Sequence, residues 1–181
     1  MKYEGTELEK KAAFAVADLV ALAAKTSPKG RGQDDIAVLV LDGKEKDAVA
    51  NEMRKIAKDT GEGFFERDAA NLDNSHLVIF IGVKDMPLGL AYCGCCGFKN
   101  CAENKKAGGK CAINLTDLGI ALGSAVSVAA GHRIDNRIML SAGRAALNLK
   151  IFPENVKTCF GIPLSSSSKS IFFDRAPVAL K

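Results

Sequence analysis

The chain has 181 residues, 48% hydrophobic and 25% charged, which suits one folded domain with its own core and leaves no long polar tract for disorder. Its formal net charge of +4 is small and dispersed, and two tyrosines with no tryptophan give little material for a basic, base-stacking surface, so nucleic acid is not an expected partner. Acids ahead of the first apolar stretch argue against a secretory signal, and the longest uncharged stretch, Leu118 to Gly131, is shorter than the roughly twenty residues that span a bilayer; a soluble, cytoplasmic protein without membrane contact is expected.

From about Thr6 to Lys25, Leu8, Ala12, Ala15, Leu19 and Leu22 recur at three- and four-residue spacing, with Val16, Val20 and Ala23 widening the stripe. This predicts an amphipathic helix with that face inward. Thr26 to Gln33 breaks it with Pro28, Gly30 and Gly32, and carries two cations, Lys29 and Arg31. Ile36 to Leu41 reads as a strand buried on both faces, and Lys44 to Lys58 returns to helical spacing. Gly61 to Gly63 stops that helix, Phe64 and Phe65 are expected to plug the core, and Leu77 to Val83 is a second buried strand. Beyond a cysteine-rich segment, Ile113 to Gly131 predicts a buried helix whose Gly119 and Gly123 let another backbone approach. Asp135 or Asn136 can cap a further helix to about Leu149, and Val156 to Ile162 reads as a third strand closed by Pro163. The tail from Ser165 holds Ile171, Phe172 and Phe173, which are expected to dock on the body or on a partner chain. Buried strands alternating with helices indicate an α/β (α+β) layer architecture: residues 1–181 as one domain with an inserted segment at 92–112.

That insert, Tyr92 to Cys111, holds five of the six cysteines. Cys93, Cys96, Cys101 and Cys111 form a C-x2-C-x4-C-x9-C array with Gly94, Gly97, Gly108 and Gly109 between them. In a reducing compartment, thiols this close bind metal or do redox chemistry more often than they form disulfides. Structural zinc usually takes two C-x2-C hooks, whereas one tight pair, a third ligand soon after and a distant fourth suit a 4Fe-4S cluster. Zinc and a redox dithiol stay open as alternatives. Cys95 reads as a free thiol and Cys159 as a small core residue. His132 ends the predicted buried helix and His76 precedes a strand, positions that suit capping rather than catalysis, and no Ser-His-Asp arrangement, H-E-x-x-H, P-loop or G-x-G-x-x-G is present.

The run CGCCGFKNC followed by Cys111 resembles the C-G-x-C-G-x-x-x-C…C motif of the four-iron four-sulfur domain in corrinoid iron-sulfur proteins. That resemblance implies Cys93, Cys96, Cys101 and Cys111 as cluster ligands and leaves Cys95 on a variable position. Through AAKTSPKGRGQDDI, CGCCGFKNC, DLGIALGSAVSVAAGHRIDNRIMLSAGRAA and GIPLSSSSKSIFFDR, nearly the whole chain resembles the uncharacterised ferredoxin-domain-containing proteins of anaerobic bacteria and archaea. AAKTSPKGRGQDDIAVLVLDG and FGIPLSSSSK are also similar in layout to two segments of the FMN-dependent nitroreductases. This second likeness implies a nitroreductase-like sheet and a homodimer with flavin sites at the subunit interface. In the two matching loops, or just beyond them, Lys29, Arg31, Gly32, Lys169 and Arg175 are the candidates to hold FMN, the cations by its phosphate. Together these readings lead to an iron-sulfur redox protein that exchanges electrons with a donor or acceptor protein, or a flavin-linked oxidoreductase with a small-molecule substrate. A zinc-stabilised binding or scaffold protein and an iron-sulfur redox sensor are the alternatives.

Overall fold

The β-branched apolar runs 36–41 and 77–83 lie side by side in the computed structural model, which describes residues 2–173. Helix α1 (Gly5–Thr26) leads through a 3-10 turn at Gly30–Gly32 into β1 (Ile36–Leu41). α2 (Gly43–Thr60), α3 (Gly63–Asp73) and β2 (Leu77–Lys84) follow. After the cysteine segment and its short helix α4 (Cys101–Lys106) come α5 (Ala112–Gly131), β3 (Asp135–Asn136), α6 (Leu140–Asn148) and β4 (Val156–Ser165). Among the described residues the strands form one sheet in the order β1-β2-β4-β3, antiparallel throughout.

Alternation along β2 explains why it reads as an unbroken apolar run. Leu77, Ile79, Ile81 and Val83 face a core shared with α1 and α5, while Val78 and Phe80 face a second core shared with α2, α3 and α6. Successive strand residues point to opposite faces, so a strand covered by helices on both sides must be apolar at every position. α6 approaches β4 so closely that a Cβ on Gly143 would lie 1.9 Å from the Cys159 carbonyl oxygen.

Several elements differ from the sequence expectations. α1 is helical, but it buries Ala13, Val16, Ala17, Val20 and Ala24, and the Leu8-Ala12-Ala15-Leu19-Leu22 stripe faces outward. Ala and Val at the inward positions let α1 lie close to the sheet, which bulkier leucines would hold off. A helix, α3, occupies the place of the supposed core plug, burying Phe65, Ala69 and Leu72 and leaving Phe64 at the surface. Asp135 and Asn136 cap no helix; they pair with Ser165 and Leu164 as an edge strand, and Met139 continues that edge through reciprocal bonds with Gly161. Pro163 does not end β4. Like Gly161, its nitrogen faces the β3 side, where pairing lapses between Asn136 and Met139, so the missing N–H costs no ladder bond. α5 is buried on one side only, with Leu115, Gly119, Ile120 and Gly123 exposed. The tail docks on the body: Ile171 packs against the second core and Phe172 is buried in it, while Phe173 is exposed.

Candidate metal centre

The cysteine segment leaves the sheet where β1 begins and β2 ends. Lys84 N–H donates to the Asp35 carbonyl at 3.0 Å and Asp85 N–H to the Asn155 carbonyl at 2.8 Å, which ties the exit to both flanking strands. From the first turn of α5, the buried Asn114 donates its amide to the Lys84 and Met86 carbonyls, and the Lys110–Asp85 ion pair closes the return. Ligands gather at strand carboxyl ends in parallel sheets. Here the sheet is antiparallel, and helix starts organise the site.

Within the segment, Gly94 and Gly97 adopt φ of 73° and 82°, with Gly97 N–H donating to the Gly94 carbonyl at 2.9 Å. Glycine takes these left-handed angles without a Cβ clash, and the turn presents Cys95 and Cys96 at its tip. Asn100 caps α4 by accepting the Glu103 N–H at 2.9 Å, which makes Cys101 the first residue of that helix. Asn104 is fully buried and its amide donates to the Lys110 carbonyl at 3.0 Å, folding the glycine-bearing spacer back so that Cys111 becomes the N-cap residue of α5.

These turns bring Cys93, Cys95, Cys96, Cys101 and Cys111 around one hollow, floored by Leu90, Phe98 and Ile113. Among the described residues no carboxylate or imidazole lines it, so its donor set is soft sulfur, the set that selects zinc, Cu(I) or iron-sulfur clusters. A single ion needs its donors within about 2.3 Å of one point. Among the described residues no group of three or more Cys, His, Asp or Glu side chains is placed to hold a metal ion, and the five thiols border the hollow without converging on a point. Cys101 is the first residue of α4 and Cys111 the N-cap residue of α5, so both sit at helix starts. Cys95 is exposed, and the hydrogen bond and charge of neighbouring Cys93 push its thiol above the ordinary value. Cys159 lies apart in β4, where burial pushes its thiol up.

The glycine loop after α1 abuts this hollow. Gly30 N–H donates to Asp117 Oδ2 at 3.0 Å, and a Cβ on Gly30 would meet Leu88 at 2.6 Å and Ile113 at 3.0 Å. Arg31 holds the loop from outside by donating from Nη1 to the Leu88 carbonyl at 3.0 Å, and Gly32 is exposed at φ 67°. Lys29 turns inward: its Nζ donates to the Lys25 and Ser27 carbonyls at 2.6 and 2.8 Å and caps the end of α1. Lys169 follows Ser166, which hydrogen-bonds His76 at the opposite end of β2. Six residue steps from Leu77 to Val83 separate the two ends by about 20 Å. Within one chain, therefore, Arg31 and Lys169 are not brought together. Arg175 lies outside the described residues. Asn104, Asn114 and Asp117 were not among the expected site residues, although two polar side chains three apart in an otherwise apolar helix start were a legible signal for the last two.

A family model described as "Uncharacterized protein containing a ferredoxin domain (DUF2148)" matches residues 107–175, a span that includes Cys111 and begins after Cys101. An uncharacterized protein from Archaeoglobus fulgidus is 42% identical over 168 residues, covering 88% of this chain and 89% of its own length. Among solved structures, a nitroreductase with bound FMN from Desulfitobacterium hafniense is similar at a TM-score of 0.59 and 15% identity, over 92% of this chain and 82% of that one. A nitroreductase family protein from Clostridium novyi is similar at a TM-score of 0.58 and 16% identity, over 96% of this chain and 82% of that one. At these identities the structural likeness shows a nitroreductase-like fold and nothing finer.

Proposed function

The chain belongs to the family of uncharacterized proteins containing a ferredoxin domain, and from that premise we propose that it is an electron-transfer protein built around a 4Fe-4S centre at Cys93, Cys96, Cys101 and Cys111. The observation that carries this reading is the arrangement of those thiols around one sulfur-lined hollow, two of them at helix starts. When bound, such a cluster supplies reversible one-electron transfer. Gly94 and Gly97 set the turn that follows Cys93 and carries Cys96, and the starts of α4 and α5 place Cys101 and Cys111. Lys99, Lys105 and Lys106 are exposed around the same segment, where they offset the negative charge of four thiolates and offer a cationic face to an acidic electron-carrier protein. The hollow opens at the surface, so a docked partner reaches it without a conformational change.

A second reading follows from the loop beside the hollow. Arg31 spends one nitrogen on Leu88, and its remaining guanidinium N–H groups, together with exposed Gly32, can hold the phosphate of a flavin. Because Lys169 leaves the other end of the sheet, its part in the same site requires a second copy of the chain. A flavin takes two electrons, so its pairing with the centre would couple one-electron carriers to reduction of a small molecule.

Anaerobic purification with iron, sulfide, zinc and flavin quantified tests both. The expected product is brown, with about four iron and four sulfide per chain. Serine substitution at Cys93, Cys96, Cys101 or Cys111 removes most of the iron, and Cys95→Ser retains it. A colourless protein with one zinc per chain and no sulfide would refute the cluster and favour a zinc-stabilised scaffold.

A further inference from the structure

The leucines that α1 turns away from its own core form a seam. Leu8, Ala12, Ala15, Leu19 and Leu22 follow one another at spacings of four, three, four and three, the repeat with which one helix packs along another. All five are exposed, Leu8, Leu19 and Leu22 by 51%, 42% and 57%, in a helix whose core contacts come from other positions. α5 lies beside the seam, its Ser124 hydroxyl donating to the Ala23 carbonyl, and continues the apolar surface with Ile120. The Gly119 and Gly123 positions of α5 face open space, so the backbone approach they permit is not used within this chain.

We infer that this face is the pairing surface for a second copy of the chain, with α1 running antiparallel to its twin. The charges flanking the seam select both occupant and direction. With a twofold near Phe14, Leu8 meets the second copy's Leu19, Ala12 meets its Ala15, and Lys11 on the flank meets its Asp18, a contact made twice by symmetry. Parallel pairing sets Glu4 against Glu9 of the second copy and leaves Lys11 and Asp18 opposite Val16 and Ala23. Only the antiparallel form is complementary in charge. α1 is about 33 Å long, and a strip about 10 Å wide along it falls short of the roughly 800 Å² per partner that a stable interface buries. The exposed flank of α5, with Leu115, Ile120 and Gly123, adds a second strip beside it. Pairing in this direction sets the first turn of each α1, Gly5–Leu8, against the other's Leu19–Leu22 and directs its N-terminus toward the other's Lys29–Gln33 loop.

Sedimentation velocity of the full chain over a wide concentration range tests the pairing, and circular dichroism reports folding. The wild type is expected to be a dimer, and Leu19→Glu with Leu22→Glu a folded monomer. Lys11→Glu weakens association roughly fivefold to tenfold at low salt, and adding Asp18→Lys restores it. A wild type that stays monomeric, with or without binding phosphatidylcholine vesicles, overturns the inference. So does a folded Leu19→Glu, Leu22→Glu dimer, or a charge swap that fails to restore pairing. If the leucine variant does not fold, the charge pair decides alone, because both sites are exposed. The surface is independent of the metal: a colourless zinc protein that dimerises through α1 leaves this pairing standing while removing the cluster.

Discussion

Lys29 and Asp34 show how a residue's surroundings redirect what its type suggests. A lysine in a glycine-rich loop is a natural phosphate ligand, yet Lys29 has only 5% of its side chain exposed and is held by the carbonyls that end α1. Asp34 completes the same clamp through Lys25, which also donates to the Ile36 carbonyl. Burial acts to raise the Asp34 carboxyl, but the hydrogen bond and charge of Lys25, the Ile36 N–H and the charge of Lys29 outweigh it and hold the group below its ordinary 3.8. A depressed folded-state value contributes stability that is fully present above the unfolded-state value, near pH 4, and is lost as pH falls through the folded value. Because nearly half the Asp34 side chain is exposed, solvent screening holds that contribution to no more than about 1 kcal/mol. A carboxyl titration by NMR should place the Asp34 midpoint below 3.8, and Asp34→Asn should abolish the stability change in that window; a midpoint at or above 3.8 would remove the clamp.

At the scale of elements, the tightest constraint lies between α6 and β4. A Cβ on Gly143 would sit 1.9 Å from the Cys159 oxygen and 2.8 Å from the Phe160 Cα, both backbone atoms that cannot swing aside. Gly143→Ala must therefore lift α6 off the sheet, and is expected to cost at the upper end of the roughly 1–3 kcal/mol typical of overpacking, read as a lowered midpoint in urea with the slope unchanged. An unchanged midpoint would mean that α6 sits farther out. The β-branched apolar runs made β1 and β2 legible in the sequence, helical spacing did so for α2, and the length of its apolar stretch did so for α5. It misassigned the face of α1, where Leu and Ala–Val stripes compete and only the sheet decides between them. α3 was missed because Phe64 and Phe65 beside a glycine masked the Phe65, Ala69, Leu72 spacing. β3 is two residues long and exists only through its pairing with β4, so no local signal could announce it. The cysteine array was legible from spacing, whereas the polar hinges Asn104 and Asn114 gained meaning only from the carbonyls they meet.

Across the whole molecule, the site and the cores are built from different residues. Neither apolar cluster includes a residue between Lys84 and Cys111, and the α5 contribution begins at Leu118, well after the cap at Cys111. The segment is held instead by a few polar ties, chiefly Asn104 to Lys110, Asn114 to Lys84 and Met86, Lys110 to Asp85, and Arg31 to Leu88. A region with many loop hydrogen bonds and few core contacts opens at lower free energy than the sheet. Metal bound by the cysteines would therefore stabilise this segment, while the cores hold the remainder. Removal of the metal with a chelator under anaerobic conditions should strip hydrogen-exchange protection from residues 85–111 and from the first turn of α5. Protection in β2 and β4 should be unchanged, because Ile79, Ile81 and Ile162 remain fully buried in the core against α1 and the part of α5 beyond its first turn. Global loss of protection, including β2, would mean instead that the cysteine segment and the sheet fold as one unit.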